Sequence, residues 1–235
     1  MNDVSFTLAK GRTLSIVGES GSGKSTIARM VMRLVEPTQG AIQIGGEDWL
    51  ALRGGRLRRA RKRIQLVFQD PFSSINPRMR IEDVIAEPLR NFGLCAVARM
   101  RERVVELLEQ VGMTAAALPR HPHEFSGGQR QRIVIARALA AEPELIVCDE
   151  AVSALDVSIQ AQVLSLLAQI QQRLQVSYLF ISHDLAVVQH ISDEVAVMYK
   201  GEIVETGPTH EIYGRPKHSY TERLLDSAPG QRLAR

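Results

Sequence analysis

The stretch Gly18-Glu19-Ser20-Gly21-Ser22-Gly23-Lys24-Ser25-Thr26 decides the fold of this chain of 235 residues. It follows a short β-favouring run, Thr13 to Val17, and it leads into a segment that we expect to be helical from Lys24 to about Val35. A glycine-rich loop that ends in Lys-Ser, between a strand and a helix, is typical of a phosphate-binding loop. The alternative is a Gly/Ser-rich turn that starts a helix, but strand, loop, Lys-Ser and helix together favour the phosphate loop.

The residue types of this loop suit a phosphate ligand. Glycine lets the backbone approach a phosphate without a Cβ in the way, and free N–H groups at the start of a helix attract anions. Lys24 carries a positive charge to the β- and γ-phosphates, and the Ser25 hydroxyl is available to Mg²⁺. A guanine-reading Asn-Lys-x-Asp stretch is absent from the sequence, which argues against a GTPase. The loop alone leaves GTPases, kinases, helicases and transport ATPases open, and other motifs must decide among them. The residues expected to bind the nucleotide, which we predict to be ATP with Mg²⁺, are Gly18, Glu19, Ser20, Gly21, Ser22, Gly23, Lys24, Ser25 and Thr26.

Two carboxylates follow a second predicted strand. Leu145 to Cys148 is a continuous apolar run, and Asp149 and Glu150 come directly after it. Ligands of parallel sheets gather at the carboxyl ends of the strands, so we expect Asp149 near the phosphate loop, where it would hold Mg²⁺ directly or through water. Glu150 points elsewhere because neighbouring strand residues alternate, and it could polarise the attacking water as a general base. A surface turn with two acidic residues is the alternative.

Composition and charge limit the classes of protein to which the chain can belong. Hydrophobic residues make up 45% and charged residues 23% of the chain, as in an ordinary soluble globular protein. No apolar stretch approaches the ~18–20 residues that span a bilayer, and we predict no signal peptide. The net charge is +3, and much of the basicity lies from Arg53 to Arg63. This run is interpreted as a solvated helix face or loop rather than a patch for lipid head groups or nucleic acid, because no aromatic residues interleave it.

The order of the predicted elements places a helical insertion within an α/β frame. Val4 to Leu8 alternates polar and apolar residues and is expected to be a strand, as are Ala41 to Ile44 and Ile64 to Phe68. Ile81 to Val111 has helical periodicity instead. The α/β pattern then returns with a helix from about Gln129 to Ala141.

A second glycine pair precedes that helix. In Ser126-Gly127-Gly128-Gln129, the serine can cap the helix and the glycines leave N–H groups free for an anion. A capped helix with flexible glycines is the ordinary alternative. This stretch, led here by Phe125 where the family normally has Leu, resembles the signature motif of the nucleotide-binding domain of ATP-binding-cassette (ABC) transporters.

Three further motifs carry the resemblance, which covers nearly the whole chain in the family's order. Gln69, in Phe68-Gln69-Asp70-Pro71, is similar to the glutamine loop. Asp156, in Ser153-Ala154-Leu155-Asp156, is similar to the aspartate loop, and His183, in Ile181-Ser182-His183-Asp184, to the switch histidine.

The resemblance implies the fold of a P-loop NTPase, with a RecA-like parallel-sheet core, an antiparallel β subdomain and an α-helical subdomain. It implies a single ABC ATPase domain over residues 1–235. Residues 1–80 and 140–215 would form the catalytic core with the β subdomain, about 81–139 the helical subdomain with the signature motif, and 216–235 a C-terminal tail.

The resemblance also implies a mechanism. Two such domains dimerise head to tail, and each ATP lies between one phosphate loop and the partner's signature helix, where Ser126 and Gly128 would bind the γ-phosphate. Gln69 would sense Mg²⁺ and water and couple to membrane subunits. His183 would bond the γ-phosphate and the catalytic water, and Asp156 would cross the dimer interface. Lys24, Gln69, Glu150 and His183 are thus the predicted catalytic residues, and Ser25, Gln69 and Asp149 the predicted metal ligands.

Several stretches resemble the branch that imports dipeptides, oligopeptides, nickel or glutathione. They are the segment from Phe68 to Arg78, the segment from Asp149 to Asp156, and the tail segment Pro216-Lys217-His218-Ser219-Tyr220-Thr221. The family usually has an aromatic residue upstream of Val4 that stacks on adenine. Phe6 lies too close to the phosphate loop for that role, so we expect a truncated N-terminus or the second half of a tandem ATPase.

The expected partners follow from the same resemblance. They are a second ABC ATPase domain in a homo- or heterodimer, transmembrane permease subunits and, indirectly, a periplasmic or extracellular solute-binding protein, without nucleic acid. The expected location is peripheral, at the cytoplasmic face of the inner membrane. Two alternatives are a soluble ABC protein for DNA repair or translation, and a nucleotide-binding regulatory module that does not hydrolyse ATP. The absence of coiled-coil insertions or duplicated cassettes argues against the first, and Glu150 and His183 argue against the second.

Overall fold

The computed structural model describes residues 1–68, 70 and 74–227, so the predicted site residue Gln69 lies outside the described residues. The chain folds into two compact units. The first comprises Met1–Ser25, Phe68–Asp70 and Leu145–Arg235, and the second comprises Thr26–Val67 and Pro71–Glu144.

The strands and helices alternate along much of the chain. The strands are β1 (Thr13–Val17), β2 (Gln43–Ile44), β3 (Glu47–Asp48), β4 (Ile64–Phe68), β5 (Leu145–Asp149), β6 (Ser177–Ile181), β7 (Glu194–Tyr199) and β8 (Glu202–Pro208). The helices are α1 (Lys24–Val31), α2 (Gly54–Ala60), α3 (Ile81–Phe92), α4 (Met100–Gln110), α5 (Gly127–Leu139), α6 (Val157–Leu174), α7 (Leu185–Ile191), α8 (Thr209–Gly214) and α9 (Ser219–Asp226).

The first unit is built on a mostly parallel sheet. Its strands lie in the order β5-β6-β1-β7-β8. The pairs β5–β6, β6–β1 and β1–β7 are parallel, whereas β7 and β8 form an antiparallel hairpin. All five residues of β1 are buried, as in a strand covered on both faces. The carboxyl ends of β1, β5 and β6 therefore meet at one edge of the sheet, and the loops that follow these strands extend from this edge.

The second unit combines a small antiparallel pair with helices. β2 and β3 pair in antiparallel fashion, with Ile44 opposite Glu47, and a tight turn joins the two strands. Helices α3, α4 and α5 pack against one another around Ile85, Leu107 and Leu108, each no more than 1% exposed. The predicted helical insertion is thus confirmed, and it consists of separate helices because α3 ends at Gly93, which takes a left-handed conformation with φ of 63°.

Three predicted elements differ from the structure. The segment from Val4 to Leu8 alternates in burial as expected, but it forms no strand among the described residues because it joins no backbone ladder. The predicted strand from Ala41 is shortened to β2. Helix α1 ends at Val31 rather than near Val35, because Arg33 turns into a left-handed conformation with φ of 54°. There its guanidinium donates to the carbonyl oxygen of Trp49 at 2.5 Å.

The basic run lies on the surface. Its first part forms α2, with Arg56, Arg58 and Arg59 exposed, which agrees with a solvated helix face. In the part of the chain that the structure describes, no helix is long and apolar enough to cross a membrane.

The side chain of Trp49 caps the C-terminal end of α1, and replacing it tests the stability of the second unit. The last carbonyls of a helix lack partners within it, and the Trp49 Nε1–H donates to the Val31 carbonyl at 2.9 Å in a fully buried position. Trp49→Phe should lower the free energy of unfolding by about 1–3 kcal/mol, because it leaves that carbonyl unsatisfied. Urea unfolding measures the change. Val97→Ala, at a side chain that is 89% exposed, is the matched control and should leave the midpoint unaltered.

Candidate functional site

The loop between β1 and α1 folds around the ammonium group of Lys24. Lys24 Nζ donates to the carbonyl oxygens of Gly18 and Glu19, both at 2.7 Å, and lies 3.4 Å from Ser22 Oγ. The residue is only 6% exposed. Burial lowers the pKa of Lys24 below its ordinary value, while the carboxylates of Glu150, Asp149 and Glu19 act in the opposite direction. An anion placed beside this ammonium would therefore be attracted strongly.

Gly18 is the point at which the loop approaches the sheet most closely. A Cβ on Gly18 would lie 2.0 Å from the carbonyl oxygen of Met198 in β7, a distance that no side chain can take. The glycine also has φ of 147°, in the region that L-residues rarely adopt. The glycine that the motif predicts is therefore required here by contact with the backbone of a neighbouring strand.

Ser25 and Asp149 meet at the carboxyl edge of the sheet. Ser25 Oγ, in the first turn of α1, donates to Asp149 Oδ1, at the end of β5, at 3.1 Å. A hydroxyl and a carboxylate side by side are hard oxygen ligands of the kind that Mg²⁺ accepts, with substrate phosphates and water completing its coordination. The residues present thus fit the metal that the sequence predicts.

Glu150 and His183 form a second pair. Glu150 Oε1 lies 3.0 Å from His183 Nδ1, and the Glu150 N–H donates to the Ile181 carbonyl at 2.9 Å. Glu150 has φ of 51°, a left-handed conformation that is uncommon outside glycine, asparagine and aspartate. Backbone strain of this kind often marks functional sites, and here it turns the Glu150 carboxylate to His183 while Asp149 meets Ser25.

The other predicted site residues fall into two groups. Ser126, Gly127, Gly128 and Gln129 belong to the second unit, where they begin α5, and Ser126 and Gln129 form a capping box. The Gln129 N–H donates to Ser126 Oγ at 3.3 Å, and the Ser126 N–H donates to Gln129 Oε1 at 3.0 Å. Asp156 belongs to the first unit, where it precedes α6 as an exposed residue followed by Val157, which is 83% exposed. The first unit therefore gathers Lys24, Ser25, Asp149, Glu150 and His183, without the signature residues.

One contact to the phosphate loop was missed by the sequence reasoning. Tyr220 Oη, in α9, accepts a hydrogen bond from the Glu19 N–H at 3.0 Å. The tail segment around Tyr220 pointed to a family branch, but no local signal in it indicates a contact with a residue 201 positions away. A buried tyrosine hydroxyl needs a partner, and only the folded structure identifies it.

The close approach of Gly18 to β7 can be tested by substitution, with Gly21, which also has a positive φ, as the control position. A Cβ at Gly21 would meet no atom of the described residues within 4 Å. Gly18→Ala should lower the free energy of unfolding by more than about 3 kcal/mol because the β7 backbone has to move, whereas Gly21→Ala should cost about 1 kcal/mol of backbone strain. Chemical denaturation of both variants measures the difference. Equal losses would contradict the role given to Met198.

Comparison with known proteins identifies relatives of this chain. Residues 1–153 match the protein family described as “ABC transporter”. The “Probable peptide ABC transporter ATP-binding protein y4tS” of Sinorhizobium fredii is 53% identical over 229 residues, which are 97% of this chain and 65% of that protein. The “Oligopeptide transport ATP-binding protein AppF” of Bacillus subtilis is 54% identical over 230 residues, which are 97% of this chain and 70% of that protein. This chain thus spans about two thirds of the length of these relatives.

A solved structure shares the fold. A dimeric post-hydrolysis state of the ATP-binding cassette MJ0796, bound to ADP and Pi, is 28% identical with a TM-score of 0.78, and the match covers 88% of this chain and 89% of that one. The predicted α/β fold, a P-loop NTPase with a mostly parallel sheet, helices and a small antiparallel sheet, is confirmed. The chain belongs to the ABC transporter family.

Proposed function

We propose that this chain binds and hydrolyses ATP and thereby energises an importer of peptides or related small solutes, such as dipeptides, oligopeptides, nickel or glutathione. The observation that carries the proposal is the meeting of the Lys24 ammonium, the Ser25–Asp149 pair and the Glu150–His183 pair in one unit. The names of the relatives, an oligopeptide transport protein among them, support peptides as the solute class.

ATP binding uses the phosphate loop. Backbone N–H groups of the loop donate hydrogen bonds to the phosphate oxygens, and the Lys24 ammonium provides the largest single charge. In the free protein this ammonium donates to the carbonyls of Gly18 and Glu19. A phosphate oxygen that approaches Lys24 favours the charged form and so opposes the lowering of its pKa by burial. The chain thus holds a partly desolvated cation ready for the β- and γ-phosphates.

Hydrolysis uses the residues that follow β5 and β6. The oxygen of a water attacks the γ-phosphorus, the bond from that phosphorus to the β,γ-bridging oxygen breaks, and the proton of the water passes to the Glu150 carboxylate. His183 holds Glu150 and bonds the γ-phosphate. Ser25, Asp149 and Gln69 would hold Mg²⁺, which would supply positive charge to the phosphate oxygens.

The site is completed by a second copy or a similar ATPase domain. The signature residues Ser126, Gly127, Gly128 and Gln129 bind the ATP of the partner domain, and Asp156 lies at the dimer interface. The dimeric state of the solved relative bound to ADP and Pi supports this arrangement. Transmembrane permease subunits and an external solute-binding protein are the further partners, which places the chain at the cytoplasmic face of the membrane.

Replacing Glu150 tests the hydrolytic role. Glu150→Gln should keep ATP binding and reduce hydrolysis by about 10²-fold or more, because the amide cannot accept the proton. ATP should then hold the chain as a dimer. ATPase assays and size-exclusion chromatography with ATP measure both effects. Glu109→Gln, which removes an exposed charge from α4, is the control. Hydrolysis at the wild-type rate in Glu150→Gln would show that another group is the base.

Replacing Asp149 tests the metal site. Asp149→Asn removes one negative oxygen beside Ser25, so hydrolysis should need a higher concentration of Mg²⁺, by about 10-fold. A titration of ATPase activity with Mg²⁺ gives this value, and ATP binding measured in EDTA should change little. An unaltered Mg²⁺ requirement would exclude Asp149 as a ligand.

A further inference from the structure

The C-terminal helix α9 is packed into the core of the first unit through Tyr220. The residue is 2% exposed and lies in a cluster that includes Val17, Val197 and Tyr213. Its ring is 4.1 Å from that of Tyr199, centroid to centroid. The position of the Tyr220 ring is therefore set by packing, so its hydroxyl has a defined direction.

That hydroxyl reaches the phosphate loop. Tyr220 Oη accepts from the Glu19 N–H at 3.0 Å, and the Glu19 carbonyl accepts from Lys24 Nζ at 2.7 Å. The Ser22 N–H also donates to the Glu19 carbonyl, at 3.2 Å. The backbone of Glu19 is thus held on both sides, by the tail through its N–H and by the loop itself through its C=O.

The segment before α9 is fastened to β8. The carboxylate of Glu205 accepts from the N–H groups of Lys217 and His218, at 2.8 and 3.0 Å. His218 Nδ1 in turn accepts from the Tyr220 N–H at 3.1 Å. A continuous set of hydrogen bonds therefore runs from β8 through the start of α9 to the second residue of the phosphate loop.

We propose that Tyr220 is a positioning residue for the phosphate loop, and that α9 thereby sets the affinity of the site for nucleotide. The Glu19 amide is bonded to Tyr220 and the Ser22 amide to the Glu19 carbonyl, so the other amides of the loop would bind phosphate. Holding the start of the loop lowers the ordering cost of binding, since less of the loop has to be ordered when the nucleotide arrives. This inference rests on the proposed binding of ATP.

The variant Tyr220→Phe tests it, because it keeps the packed ring and removes only the hydroxyl. We expect the Kd for ATP and for ADP to rise about 5-fold, as for the loss of one hydrogen bond. The KM for ATP should rise by a similar factor with kcat changed less than about twofold, because the contact is made equally in the ground and transition states. Titration with a fluorescent nucleotide and steady-state assays measure these values.

Tyr213→Phe is the matched control. Tyr213 lies in the same cluster, and its hydroxyl is likewise bonded to the backbone, because it donates to the Leu185 carbonyl at 2.6 Å, away from the phosphate loop. The Tyr213→Phe variant should lose about as much stability as Tyr220→Phe but bind ATP with the wild-type Kd. Glu205→Gln weakens the attachment of the tail and should raise the Kd by a smaller factor than Tyr220→Phe.

The outcomes separate this inference from the proposed function. If the wild type and Tyr213→Phe bind ATP and Tyr220→Phe binds it equally well, the positioning role is wrong. If Tyr213→Phe weakens binding as much as Tyr220→Phe, the effect is one of general stability and the inference is also overturned. If the wild type itself binds no ATP, the proposed function fails, and the inference fails with it.

Discussion

The burial of the Lys24 ammonium is the constraint on which the rest of the site depends. A cation taken out of water is costly unless oxygens surround it, and here the carbonyls of Gly18 and Glu19 do so. To present two carbonyls to one ammonium, the chain must turn sharply at the end of β1. Gly18 comes so close to β7 in this turn that a Cβ would lie 2.0 Å from the Met198 carbonyl. The sequence of the loop is thus dictated by one charge and by the strand beside it.

At the edge of the sheet, two adjacent carboxylates contact different partners. Asp149 is the last residue of β5 and meets Ser25, whereas the left-handed Glu150 meets His183. In an ordinary extended strand, the backbone would continue after Asp149 without a bend. The bonds of the Glu150 N–H to Ile181, and of Ser153 to the Glu150 carbonyl, hold the unusual conformation in place. Local strain is therefore balanced by hydrogen bonds to a neighbouring strand and to the following turn.

Much of this site could be predicted from sequence because its chemistry is local. The phosphate loop and the acidic pair are each defined by a few consecutive residues whose turn preferences are strong. The capped helix at Ser126, in the second unit, is local in the same way. The contacts of Gly18 with Met198 and of Glu19 with Tyr220 could not be predicted, since each joins distant parts of the chain. The segment from Val4 to Leu8 shows the opposite error, because alternation predicts which residues are half-buried but not whether a backbone partner exists.

The contact between Tyr220 and Glu19 also bears on where the folded unit that carries the phosphate loop ends. By its packing and by its hydrogen bond, α9 is attached to the phosphate loop and to the core of the first unit. The chain could be fused to another protein, cut by a protease or given the C-terminal segment of a relative. Each change would preserve the contact with the phosphate loop only if the point of fusion, cleavage or exchange lay beyond Asp226, where α9 ends.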